Sequence, residues 1–437
     1  MRRNPSRWAL LLLAALVAAF LVAACGDDDE GDSSAAPADT AAATSAAADT
    51  AAPAESSAAP AESSAAPEES SAAPAESSAA AEESSADTGG GEAVSLDGGG
   101  KAVTVLMPST TNNYLAEWVR GLQAAADANN FSVKIIENNF DQAEQDTQVQ
   151  QEIASGEKPA IYVFWPADSK AGVASLRQLA QTDVPVVVAN QPPPAEAEEF
   201  MAFYSGVDDF FNGQVSGELM LKARDAAKAA GKQLSSENGN LLEIKFAPGY
   251  QASEARTAGF TDATKDAPFD VLASEYAGFD NEAGYNTTSQ LIAANKSKGI
   301  DFLYAHNDAL AAGAIQAIKE AGLVPGKDIW VVGGTCHGDL SALEAGEQFG
   351  SGLQAARLEG QGVLLDVARY FANGETVNDG KFYGEPTAEP PTETGPISRY
   401  NYIPNPGVQF TSDPAENKRL LDETMLWGDS MRNLCTY

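Results

Sequence analysis

Hydroxyl, amide and aromatic side chains recur in this chain where short apolar runs end, and their chemistry is hydrogen-bonded recognition rather than bond breaking. Ser109, Asn113 and Tyr114 stand in Pro108-Ser109-Thr110-Thr111-Asn112-Asn113-Tyr114, Trp165 follows Phe164, and Asn190-Gln191 precede Pro192. Further on come Arg256, Phe279 before Asp280-Asn281, Asn307 between His306 and Asp308, Thr335 in Gly333-Gly334-Thr335-Cys336-His337, and Arg357 after Ala356. Asn and Ser both donate and accept hydrogen bonds, which suits a ligand whose every hydroxyl does the same. An aromatic ring beside them covers the C–H face of such a ligand. Each residue also has a plainer reading. Ser, Thr and Asn cap helices, as Asp308 is expected to do; Trp165 suits a core, and Arg256 a surface charge.

Nucleophilic catalysis finds little support. Cys336-His337 and Ser109 are the candidates, but residues adjacent in sequence do not face one another, and the only histidines are His306 and His337. No His, Cys or carboxylate set has metal-ligand spacing. Gly98-Gly99-Gly100 is no phosphate loop, because no strand precedes it and no Lys-Ser or Lys-Thr closes it. The sequence therefore argues for no catalytic residue, no metal and no cofactor.

The elements that position these residues alternate between β-branched runs and amphipathic stretches, the pattern of a parallel α/β fold. Strands are predicted at Ala102–Met107, Ser132–Ile136, Ala160–Phe164, Pro185–Ala189 and Met201–Tyr204, with helices near 113–130, 142–155 and 168–181. After a long helix over Asp208–Ala230, a second cycle has strands near Leu241–Phe246, Asp270–Ser274, Phe302–Ala305, Ile329–Val332 and Gly352–Gln354. Its helices fall near 251–266, 281–297, 308–321 and 339–347. Two cycles imply two lobes with a cleft between them, and ligand-facing loops at the carboxyl ends of the strands. In the tail, Ile397–Ile403 is predicted as a strand returning across the hinge. Pro414–Arg432 is predicted as a helix that packs Leu420, Leu421, Met425 and Trp427 on one lobe.

Residues 1–24 read as an export signal: Arg2, Arg3 and Arg7, an apolar run from Trp8 to Leu21, then Val22-Ala23-Ala24 before Cys25, the expected lipidation site. The alternative is an ordinary secretory signal with an incidental cysteine. Residues 25–100 hold seventeen acidic residues and no Lys or Arg, with Pro53, Pro60, Pro67 and Pro74 in repeated Ala-Ala-Pro units. Such a stretch has too little to bury and is expected to be a disordered tether, reaching on the order of 45–50 Å. The net charge of −35 leaves the remainder acidic too, which excludes a nucleic-acid partner and favours solubility outside the cell. With Cys25 lipidated, Cys336 and Cys435 remain, either as a disulfide or as separate thiols.

The arrangement from about Lys101 to Tyr370 resembles the periplasmic sugar-binding proteins of the ribose-binding type. The resemblance rests on the Ser109–Asn113 segment, Pro166-Ala167-Asp168-Ser169, Arg256-Thr257-Ala258-Gly259-Phe260, Ala277-Gly278-Phe279-Asp280, Asn307-Asp308-Ala309-Leu310-Ala311-Ala312-Gly313 and Val331-Val332-Gly333. It implies two doubly wound parallel-sheet lobes of the type I periplasmic binding fold, joined by three crossovers. One lobe is expected over 101–206 plus about 358–395, the other over 207–357 plus about 396–437. It also implies ligand contacts at Ser109, Asn113, Arg256, Phe279 and Asn307 around a common cavity, with Leu115 where an aromatic is common. Asn190-Gln191 replaces a usual Asp-Arg pair, Gly334-Thr335 a usual Asp, Trp165 a usual Asn, and Arg357 a usual Gln. These departures make the pocket neutral or positive. Arg256 and Arg357 would then lack partners, so the ligand is expected to be a neutral sugar or polyol, or an acidic sugar supplying the missing charge. Removing Arg256 is expected to abolish binding and leave the fold intact. The implied partner is an ATP-driven (ABC) membrane permease, with a receptor for a sensory module as the alternative. A monomer, attached to the outer face of the membrane through its lipid, is expected.

Overall fold

The computed structural model describes residues 96–110, 113–391 and 395–436. The export signal, Cys25 and the tether lie outside them, except for the tether's last five residues. The first sheet is assembled from β1 (Ala102–Pro108), β2 (Ser132–Asn138), β3 (Ile161–Phe164), β4 (Val186–Ala189) and β5 (Phe203–Gly206). Between them lie α1 (Asn113–Ala128), α2 (Gln142–Ser155) and α3 (Val173–Ala180). The chain leaves this sheet through α4 (Asp209–Ala229) and builds β6 (Asn240–Lys245), α5 (Gln251–Thr264), β7 (Asp270–Tyr276), α6 (Asn281–Asn295), β8 (Phe302–Ala305), α7 (Asp308–Glu320), β9 (Trp330–Gly333), α8 (Ser341–Glu344) and β10 (Gly350–Gly352). It returns through α9 (Ala356–Ala372) to β11 (Val377–Tyr383) and β12 (Ile397–Tyr402), then crosses again to β13 (Gly407–Gln409) and α10 (Pro414–Glu423).

The strand orders are β11-β12-β5-β4-β3-β1-β2 and β13-β10-β9-β8-β6-β7. Within these two sheets all pairs are parallel except β10 with β13. Two doubly wound lobes and three crossovers result, as expected for the fold class. Parallel strands are covered on both faces, which is why they read as unbroken apolar runs. In β1, Val103, Val105 and Met107 join the cluster holding Trp118 and Val363, while Leu106 joins the one holding Tyr162 and Leu176.

The structure departs from the sequence expectation in the last crossover and tail. β12 was grouped with the second lobe, but Tyr400, Asn401 and Tyr402 pair with Tyr204, Ser205 and Gly206 of β5. The chain therefore crosses after residue 402, not at 396. The predicted terminal helix breaks at Thr424. Met425–Leu426 pairs with Asp429–Ser430 across Trp427 (φ 46°) and Gly428 (φ 82°), and Met431–Cys435 is a separate short helix. Two central residues at positive φ form the tight hairpin turn that suits strand twist. Met425 is accordingly exposed, whereas Leu421 and Trp427 are buried.

Helices α1 and α9 approach unusually closely. A Cβ at Gly121 would lie 1.9 Å from the Arg357 carbonyl oxygen, and one at Gly360 would lie 1.8 Å from that of Trp118. Only glycine at both positions permits this contact, and it brings the start of α1 against the first turn of α9, where Glu359 lies.

Candidate functional site

A cavity of about 330 Å³ lies between the lobes. From the first lobe it is lined by Tyr114 and Leu115 after β1, Phe140 after β2, Trp165 after β3 and Asn190 after β4. The second lobe contributes Phe246, Tyr250 and Arg256 after β6, Phe279 after β7, Asn307 after β8, and Thr335 and His337 after β9. Asp209 and Gln354 enter from the first two crossovers. Every lining group follows a strand's carboxyl end, where open parallel sheets leave their loops free to meet a ligand.

Aromatic rings form much of the wall. Phe140 and Phe279 stack across the lobes at 6.4 Å, Phe246 stacks on Phe279 at 5.3 Å, and Tyr114 meets the edge of Trp165 at 6.4 Å. Polar bonds also cross the cleft. Gln354 Nε2 donates to the Tyr114 hydroxyl at 2.7 Å, and the Tyr250 hydroxyl lies 3.5 Å from Asn190 Oδ1.

Arg256 sits at the floor and is 2 % exposed. Its Nε and Nη2 donate to Asp209 Oδ1 at 2.9 and 2.8 Å, and its remaining bonds go to the His306 carbonyl and Gln354 Oε1. The guanidinium also lies over the Phe246 ring, 4.9 Å from the centroid. Burial raises the Asp209 carboxyl above its ordinary value, and Arg256 opposes that rise. The cavity's arginine is thus already matched by a carboxylate. Behind the first-lobe wall, Glu359 accepts from the Tyr114 hydroxyl at 2.6 Å and from Asn190 Nδ2 at 3.0 Å. Burial pushes its carboxyl up to about 7, against the hydrogen bonds from Tyr114 and Asn190.

The family model for the periplasmic binding protein domain matches residues 103–376, more than half of the chain. The chain belongs to the periplasmic binding protein family. It is 28 % identical over 249 residues to the ribose import binding protein RbsB of Escherichia coli, covering 56 % of this chain and 77 % of that protein. It is 30 % identical over 246 residues to a putative rhizopine-binding protein of Rhizobium meliloti, covering 54 % and 73 %. Among solved structures, a galactofuranose-binding protein superposes with a TM-score of 0.58 at 20 % identity, covering 73 % of this chain and 96 % of that one. That likeness is one of fold.

Against the periplasmic binding protein frame, seven of the ligand positions expected from sequence line the cavity: Tyr114, Trp165, Asn190, Arg256, Phe279, Asn307 and Thr335. Trp165 is both wall and core, packing edgewise on Trp118 at 5.4 Å. Asn307, not Asp308, caps α7: its Oδ1 accepts from Leu310 N at 2.7 Å while its Nδ2 donates to the Phe279 carbonyl. Asp308 instead is buried, accepting from Thr335 N and Ser351 Oγ. Asn190 holds a left-handed backbone (φ 59°), which asparagine tolerates better than most residues and which turns its amide into the cleft.

Four expected positions do not line the cavity. Asn113 is exposed at the start of α1, and Ser109 is buried at the end of β1. Gln191 is buried with its Nε2 donating to the Pro166 carbonyl. Arg357 faces away, bonded through Nη2 to Glu117 at 2.7 Å and through Nη1 to Asp429 at 3.0 Å. β10 ends at Gly352 rather than at Gln354, and Gln354, expected within the strand, lines the cavity where Arg357 does not. Neither arginine lacks a partner, which overturns the expectation that both would be unpaired and leaves the neutral alternative for the pocket. Asp209, Phe140, Phe246, Tyr250, His337, Gln354 and the supporting Glu359 were missed as contacts. Phe246 and Tyr250 carried the same signal as Phe279, an aromatic just after a strand.

Cys336 and Cys435 form a disulfide with Cα atoms 5.1 Å apart. It ties the terminal helix to the loop that carries Thr335 and His337.

Proposed function

We propose that this chain captures a small neutral polyhydroxylated molecule, a sugar or polyol, between its lobes and delivers it to the permease of an ABC importer. In this reading Cys25 carries a lipid that holds the protein at the outer face of the membrane. The observation that carries the choice of a neutral ligand is the bond between Arg256 and Asp209. An arginine with a buried carboxylate beside it does not need an anion to offset its charge. The names of the relatives, for ribose and rhizopine binding, agree with a small polar cargo.

The action is mechanical. A ligand touching Asn190 and Tyr114 on one side and Arg256, Asn307 and Phe279 on the other favours the lobe arrangement in which all are satisfied together, by the difference in its affinity for the closed and open forms. The rings cover its C–H faces and exclude water while Asp209, Arg256 and the amides take its hydroxyls. Calorimetric titration with neutral pentoses, hexoses and inositols beside uronic and aldonic acids tests this. Saturable binding of a neutral member is expected. Binding confined to the acids would overturn the neutral assignment, and binding to neither class would overturn the reading as a whole.

A further inference from the structure

Within that reading, we propose that Glu359 is a positioning residue that sets the hydrogen-bond polarity of the first-lobe wall, so that the wall offers oxygen acceptors and selects ligands that present hydroxyl protons to it. Glu359 is fully buried on the first turn of α9 and makes no part of the cavity lining. Its oxygens take the proton of the Tyr114 hydroxyl at 2.6 Å and the Asn190 amide hydrogens at 3.0 and 3.3 Å. Tyr114 has one proton. With that proton committed, its oxygen faces the cleft as an acceptor, the role in which it receives Gln354 Nε2 at 2.7 Å. Asn190 is fixed the same way: with its NH₂ turned to Glu359, its Oδ1 points toward the second lobe and the Tyr250 hydroxyl. One carboxylate thus fixes the orientation of two cavity groups that could otherwise donate or accept.

The arrangement is favoured by the ionised carboxylate, which only accepts. A carboxylic acid keeps acceptor capacity but has a proton of its own, and where that proton points at the Tyr114 oxygen the tyrosine's proton is turned away. The freed donor would then face the cleft where an acceptor stood. Burial holds Glu359 near neutrality, to about 7, so the exchange falls within an accessible pH range. The charged and titratable groups around it are Tyr114 from α1, Tyr204 from β5, Asp209 from α4, and Tyr250 and Arg256 from the loop after β6 and α5. Burial raises Tyr204 and Tyr250 and Arg256 stays paired, so among these groups only Asp209 and Glu359 have raised carboxyls, and Asp209 keeps its guanidinium partner.

The test uses the purified full chain with D-ribose, D-galactose and myo-inositol as probes, carrying forward whichever binds tightest. If only the carboxylate form binds, the dissociation constant rises about tenfold between pH 8 and pH 6, because the competent fraction falls by that factor around a midpoint near 7. In Glu359→Gln the affinity is expected to be weaker and level across the same range. A wild-type affinity level from pH 8 to 6, or a Glu359→Gln variant with the same slope as wild type, overturns the proposal. A second readout needs no ligand: in protein labelled with ¹⁵N at asparagine, the Asn190 side-chain resonance titrates with a midpoint near 7, and the titration is lost in Glu359→Gln. An Asn190 resonance insensitive to pH overturns the proposal even if no probe binds, whereas failure of every probe with a titrating Asn190 counts against the proposed ligand class alone.

Discussion

Replacing Arg256 by alanine separates the proposed binding role from a folding role that the buried salt bridge gives this residue. Reading the sequence alone, the substitution removes a ligand contact and leaves the fold intact. The structure gives Arg256 a buried salt bridge to Asp209 and hydrogen bonds to His306 and Gln354, so truncation leaves a buried carboxylate without its cation. Breaking one side of such a pair costs about 3–5 kcal/mol. With about 340 folded residues and an unfolding entropy of about 2.1 cal/mol/K per residue, that is a fall of about 4–7 °C in melting temperature. Calorimetry and differential scanning measurements on Arg256→Ala, Asp209→Ala and the double variant are the assay. Ligand binding is expected to be lost in Arg256→Ala together with this fall in melting temperature. The double variant is expected to melt higher than the sum of the single losses allows, because removing both charges leaves neither stranded. An Arg256→Ala protein that melts with wild type, or a double variant whose loss is strictly additive, refutes the buried-pair reasoning.

Opening the Cys336–Cys435 bridge, by Cys435→Ser or by reductant, releases a link across 99 residues. Loop entropy puts the loss at about 4–5 kcal/mol, or about 6–7 °C by the same conversion. Ligand affinity is expected to fall as well, since Cys336 sits at positive φ (48°) between cavity residues Thr335 and His337; reductant added to Cys435→Ser should then change neither quantity. His306, buried against Glu243 at 3.0 Å, has its imidazole held below the ordinary 6.5 mainly by burial. The unfolded chain therefore takes up a proton before the folded one does. Stability from this site is full above pH 6.5 and is lost as pH falls below it, so the melting temperature of wild type should fall more steeply between pH 6.5 and 5 than that of His306→Gln. Equal slopes would show that His306 does not remain neutral in the fold.

How much of the fold could be read from sequence depended on whether a strand's own residues carry the signal. Val103-Thr104-Val105, Val186-Val187-Val188 and Val331-Val332 are β-branched runs buried on both faces, and the positions of their strands were legible to within a residue or two. β10 is Gly350-Ser351-Gly352, with no such preference. It is a strand because β9 pairs on one side, β13 on the other, and α4 packs so closely that a Cβ at Gly350 would meet Leu219 at 3.2 Å. Tertiary contacts impose the strand, and sequence patterning put it two residues late. That shift counted Gln354 as strand rather than as a cavity residue. β11, with Asp379, Gly380 and Lys381 on an exposed edge and a register shift at that point, has the composition of a loop and gave no strand signal.

The site divides along the same line. Donors, acceptors and rings placed after strand ends are properties of residue type and local position, so Trp165, Asn190, Phe279 and Asn307 were legible without a partner in view. Charge is different, because what a buried arginine does depends on what lies beside it. Arg256 finds Asp209 at a separation of 47 residues and Arg357 finds Glu117 at 240, and neither spacing belongs to any local motif. Counting charges in the candidate contacts therefore predicted a pocket with two unmatched cations, whereas the folded chain holds one cation in the cavity and supplies its counter-charge from the first crossover. That placement has a mechanical consequence. Asp209 opens α4 directly after β5 leaves the first lobe, so the cavity's arginine is fastened to the first crossover itself. In the proposed reading, a ligand bonded to the Arg256 guanidinium is thereby linked to the crossover that joins the lobes, without needing a charge of its own.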